Sequence, residues 1–280
     1  LINDLAGVYQ YFVAAEPRAF GFNHTPTFYG SFMLMQLPIL IFMAQLKILP
    51  PAWKGLAIFT AALSLICLVL SMTRGAWLAF IGVAVIFVVL NKEYRPVAAK
   101  ICAGLATVFV IATLISPKLQ DRLSTLVDTR FQSNTERILM WESAAEIFGD
   151  YPIHGVGQKM FVKAYNEQYI SPEAVERPND KEPGHTHPHN NLLKVASEGG
   201  IIGLAAFVGL YACFFWKFFT QLKREKNFAF GAGLTAFLIL AGLQLEGLTA
   251  TNMNQVPIMR EFWLLAGTLI AAENILSKES

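Results

Sequence analysis

Three histidines fall within five residues, at His185, His187 and His189, and Asn190 and Asn191 follow directly. Imidazole titrates near neutral pH, so a histidine there can take a proton from a hydroxyl nucleophile. A histidine in a polar loop is most often a plain solvated side chain. Here the cluster leads without a break into the apolar stretch that begins at Gly200. That ties it to the end of a membrane helix and favours a site. His-x-His can also hold a metal, but a metal site needs three or four ligands. No cysteine and no matched Asp/Glu spacing accompanies the cluster, so the pattern points away from a metal.

Arginine is the second residue type with chemistry to offer. Arg74 ends an apolar run in Ser-Met-Thr-Arg-Gly-Ala-Trp, and Arg137 lies in the first turn of a helical pattern beside Glu136 and Trp141. A guanidinium is a planar fork that grips phosphate oxygens through parallel hydrogen bonds. The plainer reading of Arg74 is an interfacial anchor, with Trp77 in the same belt. The plainer reading of Arg137 is a surface residue of an amphipathic helix, and Arg122, Arg130 and Arg177 keep that reading. Arg260 and Glu261 lie near the outer end of the last apolar run. Ionisable groups at such a place are candidates for function, or for pairing with each other or with Glu246.

The elements that must carry these groups are apolar runs. Of the 280 residues, 54% are hydrophobic and 15% charged, against roughly 25% charged in soluble domains. A membrane span needs about 20 apolar residues. The runs predict spans over residues 27–46, 55–72, 75–90, 101–116, 200–219, 228–245 and 256–272, with a kink at Pro38. The expected fold is all-α: a polytopic transmembrane bundle of about seven spans with one large, partly helical loop. The organisation that follows is four spans over residues 1–116, the loop over 117–199 carrying the active site, and three spans over 200–280. Residues 1–26 read as the end of a polar loop. Cys67, Cys102 and Cys213 each sit in an apolar run and look like packing residues. The net charge of +2 gives no sign of a nucleic-acid partner. The chain starts at Leu1 without a signal-peptide pattern, which suggests a piece of a longer protein with earlier helices missing.

Short loops orient the bundle. Lys47 and Lys54, then Lys92, Arg95 and Lys100, then Lys217, Lys223, Arg224 and Lys226, and finally Lys278 all fall on one face when the spans are counted. The positive-inside rule makes that face cytoplasmic. The Arg74 turn, the 117–199 loop and the 246–255 loop then share the outer face. Within the long loop, apolar residues at 138, 141, 145 and 148 predict a helix over 135–148. Residues 149–157 predict a turn that stops it, and 161–169 a second short helix. Residues 171–184, rich in Pro, Glu and Asp, read as a connector. No Gly-rich phosphate loop and no Asp-x-Asp pair is present, so a nucleotide substrate has no motif behind it. The parts suggest an anionic, phosphate-bearing lipid held by arginines at the outer surface.

Three motifs resemble the O-antigen ligase family, with its polymerase and protein O-oligosaccharyltransferase relatives. They are Met72-Thr-Arg-Gly-Ala-Trp-Leu78, then Glu136-Arg-Ile-Leu-Met-Trp-Glu-Ser-Ala with Asp150-Tyr-Pro-Ile-His-Gly-Val-Gly157, and His187-Pro-His-Asn-Asn-Leu-Leu with Glu198-Gly-Gly-Ile-Ile-Gly-Leu204. The resemblance covers the C-terminal part of that family, whose members usually have about a dozen spans. It implies a GT-C-like, metal-independent, inverting glycosyltransferase of the bacterial inner membrane, with no cofactor and its active site on the periplasmic side. The implied partners are an undecaprenyl diphosphate-linked glycan donor, a lipid A–core acceptor and membrane lipids. Carried over residue by residue, His189 would be the general base, and Arg74 and Arg137 would bind the diphosphate. His187 and Asn190 would orient base or acceptor, and Arg260 would be a further phosphate contact. The same motifs fit a polymerase or a protein O-glycosyltransferase using the same carrier. A transporter fits less well, because the candidate charges gather at one end of the spans rather than along a path through them.

Overall fold

A computed structural model describes residues 1–90, 96, 107, 110, 113–114, 116–125, 132–176, 187–222 and 228–279. Among these the fold is all helical, with no strand. The helices are α1 (Ile2–Phe12), α2 (Pro26–Gln45), α3 (Pro51–Leu70), α4 (Arg74–Leu90), α5 (Pro117–Ser124), α6 (Gln132–Asp150), α7 (Phe161–Ala164), α8 (Pro172–Glu176), α9 (Asn191–Gln221), α10 (Phe228–Glu246) and α11 (Val256–Glu279). Three of them, α2, α3 and α9, are long and apolar enough to cross a membrane, and α4 and α10 are shorter apolar helices. The expected spans at 27–46, 55–72, 75–90, 228–245 and 256–272 each coincide with a helix. Most of the expected span at 101–116, most of the basic loops at 91–100 and 221–227, Arg130, Arg177, His185 and most of the 171–184 connector lie outside the described residues.

Two compact units emerge. One comprises Leu1–Val127, Phe218–Glu246 and Val256–Ser280; the other comprises Asp128–Lys217 and Gly247–Gln255. In the first, α2 packs on α3, and α10 packs on α2 and α4. Thr25 caps α2 through the Phe28 amide at 3.3 Å, with Pro26 at the first helical position. α2 then runs through Pro38. Tyr29, Met33, Leu37, Cys67, Leu68, Ala76 and Trp77 form its core. A Cβ on Gly30 would lie 2.9 Å from the Ala76 Cβ, so the two helices touch where both residues are small.

The N-terminal segment corrects the reading of residues 1–26 as loop, because Ile2–Phe12 is a helix packed on α3. Its buried face is polar and small. The Asp4 carboxylate accepts from Gln36 Nε2 at 2.9 Å and Ser64 Oγ at 3.2 Å. Gly7 leaves room for Tyr29, whose hydroxyl would lie 2.2 Å from a Cβ there. Val8 and Tyr11 pack against the core beside them.

The second unit is built on α6. Its buried face is Leu139, Met140, Ser143, Ala144 and Ile147, not the expected 138/141/145/148 stripe. Met140, Ala144 and Ile147 pack on Phe161, Tyr165 and Leu193, while Ala145 is exposed and Trp141 half-buried. α7 continues into a wider π turn over Tyr165–Tyr169, which covers the expected short helix at 161–169.

α9 is broken at Gly200, where φ is 60° and ψ −159°. Residues 152–157 splice into the break. The amides of Val156 and Gly157 donate to the carbonyls of Ser197 and Glu198 at 3.0 and 2.9 Å. The amides of Ile201 and Ile202 donate to Pro152 and Ile153 at 2.8 and 3.4 Å. Both carbonyls and amides orphaned by the break thus find partners. The two backbones lie so close that a Cβ on Gly155 (φ 64°) would sit 2.4 Å from the Glu198 carbonyl carbon, and one on Gly200 2.4 Å from that of Ile153. Just before the break, Lys194 and Glu198 form a buried ion pair at 2.7 Å. Gly200→Ala should therefore cost about 3 kcal/mol or more, seen as a large drop in the thermal unfolding midpoint in detergent. Gly199→Ala, with open space at its Cβ, should change stability by less than about 1 kcal/mol.

Candidate functional site

His187, Pro188, His189 and Asn190 form the loop that enters α9. His189 has φ 49°, a left-handed backbone that costs a non-glycine residue roughly 1–3 kcal/mol and persists only where its surroundings enforce it. The enforcement is visible on both sides. On the near side, Trp141 Nε1 donates to the buried Pro188 carbonyl at 2.7 Å. On the far side, Asn190 Oδ1 accepts from the Leu193 amide at 3.0 Å, capping α9, while its Nδ2 donates to the Leu248 carbonyl at 3.0 Å. The His187 and His189 rings meet edge to face, with centroids 4.3 Å apart. Arg137 is half-buried and lies one turn before Trp141 on α6. Residues four apart share a helix face, so Arg137 sits on the side of α6 that holds the histidine loop. The structure thus assembles Arg137, His187, His189 and Asn190 in one unit.

Tyr169 anchors the far end of α6. Its hydroxyl donates to Asp150 at 2.7 Å, and its carbonyl accepts from Ser143 Oγ at 2.6 Å. The bond to the Asp150 carboxylate, with lesser desolvation, pushes the phenol up to about 12. The folded pKa exceeds the unfolded one, so this contribution is complete below about pH 10 and fades as pH rises toward 12.

Arg74 and Arg260 lie in the other unit. Arg74 is the first residue of α4 and is 6% exposed. Its guanidinium donates to the Thr125 carbonyl and, at 3.0 Å, to the Thr125 hydroxyl. It is therefore buried rather than snorkelling. Trp77 is buried too, its indole donating to the Leu68 carbonyl at 2.9 Å. The turn before Arg74 is tight, with Met72 at φ 52°. Two further arginines brace it. Arg18 donates to the Ser71 carbonyl at 2.9 Å and to Thr73 Oγ1 at 3.1 Å, and Arg122 donates to the Met72 carbonyl at 2.9 Å. Burial holds the Arg122 guanidinium below its ordinary pKa. Neither Arg18 nor Arg122 stands at a helical spacing from Arg74, so no sequence pattern links them. Arg260 is exposed on α11, and Glu246 is fully buried, accepting from Ser31 Oγ at 2.6 Å.

The histidine loop, the arginine-bearing helix and the Arg74 turn all fall within residues 59–208, which match the O-antigen ligase family. The chain belongs to the O-antigen ligase family. It is 24% identical over 275 residues to a Rickettsia felis protein named as a candidate polysaccharide ligase, covering 95% of this chain and 64% of the relative. It is 25% identical over 233 residues to the O-antigen ligase of Salmonella typhimurium, covering 80% of this chain and 54% of that protein. The chain therefore spans less than two thirds of the length of these relatives. Trp141→Phe should lower stability by about 1–2 kcal/mol, since it strands a buried carbonyl. Amide hydrogen exchange at residues 191–193 should rise with it.

Proposed function

We propose that this ligase-family chain transfers a polysaccharide from undecaprenyl diphosphate to a sugar hydroxyl of lipid A–core, at the periplasmic face of the inner membrane. The observation that carries the reading is His189. A titratable ring is held in an unfavourable backbone conformation by bonds from α6 and from the 247–255 segment, inside the family's matched region. Strain of this kind collects where geometry matters for chemistry.

His189 acts as general base. Its imidazole takes the proton of the acceptor hydroxyl as that oxygen attacks the anomeric carbon. The bond from that carbon to the diphosphate breaks, and undecaprenyl diphosphate leaves with the electron pair. Attack from the opposite face inverts the anomeric configuration. Arg137 and Arg74 hold the diphosphate and offset the charge that grows on it. Arg74 is suited to this at the N-terminus of α4, where the helix dipole adds positive potential. Arg18 and Arg122 add two more positive charges to the same turn. His187 packs against the base and orients it, Asn190 fixes the loop, and Arg260 is a further phosphate contact. The order of spans, with Lys and Arg concentrated in alternate short loops, supports an outer-face site.

In the full-length protein, Arg74→Ala, Arg137→Ala and His189→Ala should each lower polysaccharide attachment at least about a hundredfold, as removal of a general base or a charge-stabilising donor does. Normal attachment of polysaccharide to lipid A–core in any of them refutes the role assigned to that residue. Which glycoconjugate disappears on gene deletion separates lipid A–core ligation from polymerisation or protein glycosylation.

A further inference from the structure

The segment Gly247–Gln255 falls outside the family's matched residues 59–208, yet it belongs to the same compact unit as the histidine loop. It follows α10 and contains the tight turn Asn252–Asn254, closed by the Gln255 amide on the Asn252 carbonyl at 3.0 Å. Three hydrogen bonds tie it to the two residues after His189. The Asn191 amide donates to the Gly247 carbonyl at 2.8 Å. Asn190 Nδ2 donates to the Leu248 carbonyl at 3.0 Å. Asn191 Nδ2 donates to Asn252 Oδ1 at 2.8 Å, and the two asparagines are only 4% and 2% exposed. A fourth contact joins Tyr211, further along α9, to Met253 Sδ at 3.5 Å.

These bonds have a common effect. The left-handed residue His189 is followed at once by residues whose backbone and side chains are fixed from the 247–255 segment. Of the three bonds to Asn190 and Asn191, the one that joins two side chains is Asn191–Asn252, and it is buried. A buried amide that loses its acceptor carries the full desolvation cost of the stranded donor. The loop would then relax toward a backbone that His189 prefers, and its ring would move.

We infer that Asn252 is a positioning residue for the histidine loop, and that the segment 247–255 is the far wall that sets the orientation of His189. The inference rests on His189 being the proton acceptor, as proposed above. Asn252 does not touch the reacting atoms. It acts through Asn191 and the loop backbone, so its loss should appear in turnover rather than in donor binding.

The test uses the full-length protein with an undecaprenyl diphosphate-linked glycan and lipid A–core. Asn252→Leu keeps the branched shape, in a somewhat larger side chain, and removes the acceptor. It should lower kcat about a hundredfold, the loss expected when a reacting group moves by about an ångström, with KM for the donor within about threefold. Asn252→Asp keeps the acceptor oxygen and should recover kcat to within about tenfold of the parent. An unchanged kcat per folded molecule in N252L overturns the inference, and so does an N252D as inactive as N252L at equal folded yield. Hydrogen exchange at the Asn191 amide gives a readout independent of activity: it should speed up at least about tenfold in N252L, and unchanged exchange overturns the inference. His189→Ala is measured alongside. If H189A turns over normally the general-base reading fails, whereas an inactive H189A with a fully active N252L defeats only the role of Asn252.

Discussion

The second unit depends on one repair of backbone hydrogen bonding. A helix that breaks at Gly200 leaves carbonyls and amides without partners, and a backbone group left unpaired away from water is costly. The 152–157 turn supplies both donors and acceptors, four backbone bonds in all. Two glycines in left-handed geometry make the approach possible. This joint ties α6 to α9 through the intervening turn. Because α6 also carries Arg137 and Trp141, and the start of α9 carries the histidine loop, the joint fixes how the guanidinium-bearing helix meets the imidazoles. The buried Lys194–Glu198 pair lies within the same short helical piece, between the loop and the break. Breaking such a pair on one side leaves an uncompensated charge, so the piece is stiff as well as tethered.

Much of this was legible in the residues. Apolar runs announced the spans, because a helix surrounded by lipid is apolar on every side and needs no periodicity to be seen. The stop at residues 149–157 and the start of an apolar run at Gly200 were also visible, as clusters of Gly and Pro. What the residues did not reveal was that these two places bind each other, since backbone-to-backbone bonds leave no side-chain signature. Helix α1 was missed because its most buried residues, Asp4 and Gly7, are not the apolar kind that mark a helix face. The buried stripe of α6 was misplaced by about one residue, because Trp141 serves the Pro188 carbonyl rather than the core. Left-handed geometry at His189 and Met72 was unreadable, as neither is a glycine. The contributions of Arg18, Arg122 and Asn252 come from residues far from their partners in the chain, and nothing in their immediate neighbours marks them.

Charge distribution connects this architecture to the proposed chemistry. Three guanidinium groups gather around the Ser71–Arg74 turn at the start of α4, where the helix end itself is positive. A site that must hold a diphosphate and release it as an anion needs such a field in place before the substrate arrives. The histidine loop, by contrast, is held by neutral bonds to carbonyls and amides. The positively charged turn and the histidine loop thus belong to different segments, and the proposed reaction requires them on one face of the bilayer.

That shared face is the central claim, and single-cysteine labelling tests it most directly. With the native cysteines replaced by serine, Ser124→Cys reports the Arg74 turn, Asp150→Cys the end of α6, and Lys47→Cys the opposite loop, all at exposed positions. In intact spheroplasts an impermeant maleimide should modify the cysteines at 124 and 150, and reach the one at 47 only after permeabilisation. Labelling at 124 and 150 from opposite sides of the membrane would contradict the proposal, because Arg74 and His189 could not then serve one substrate.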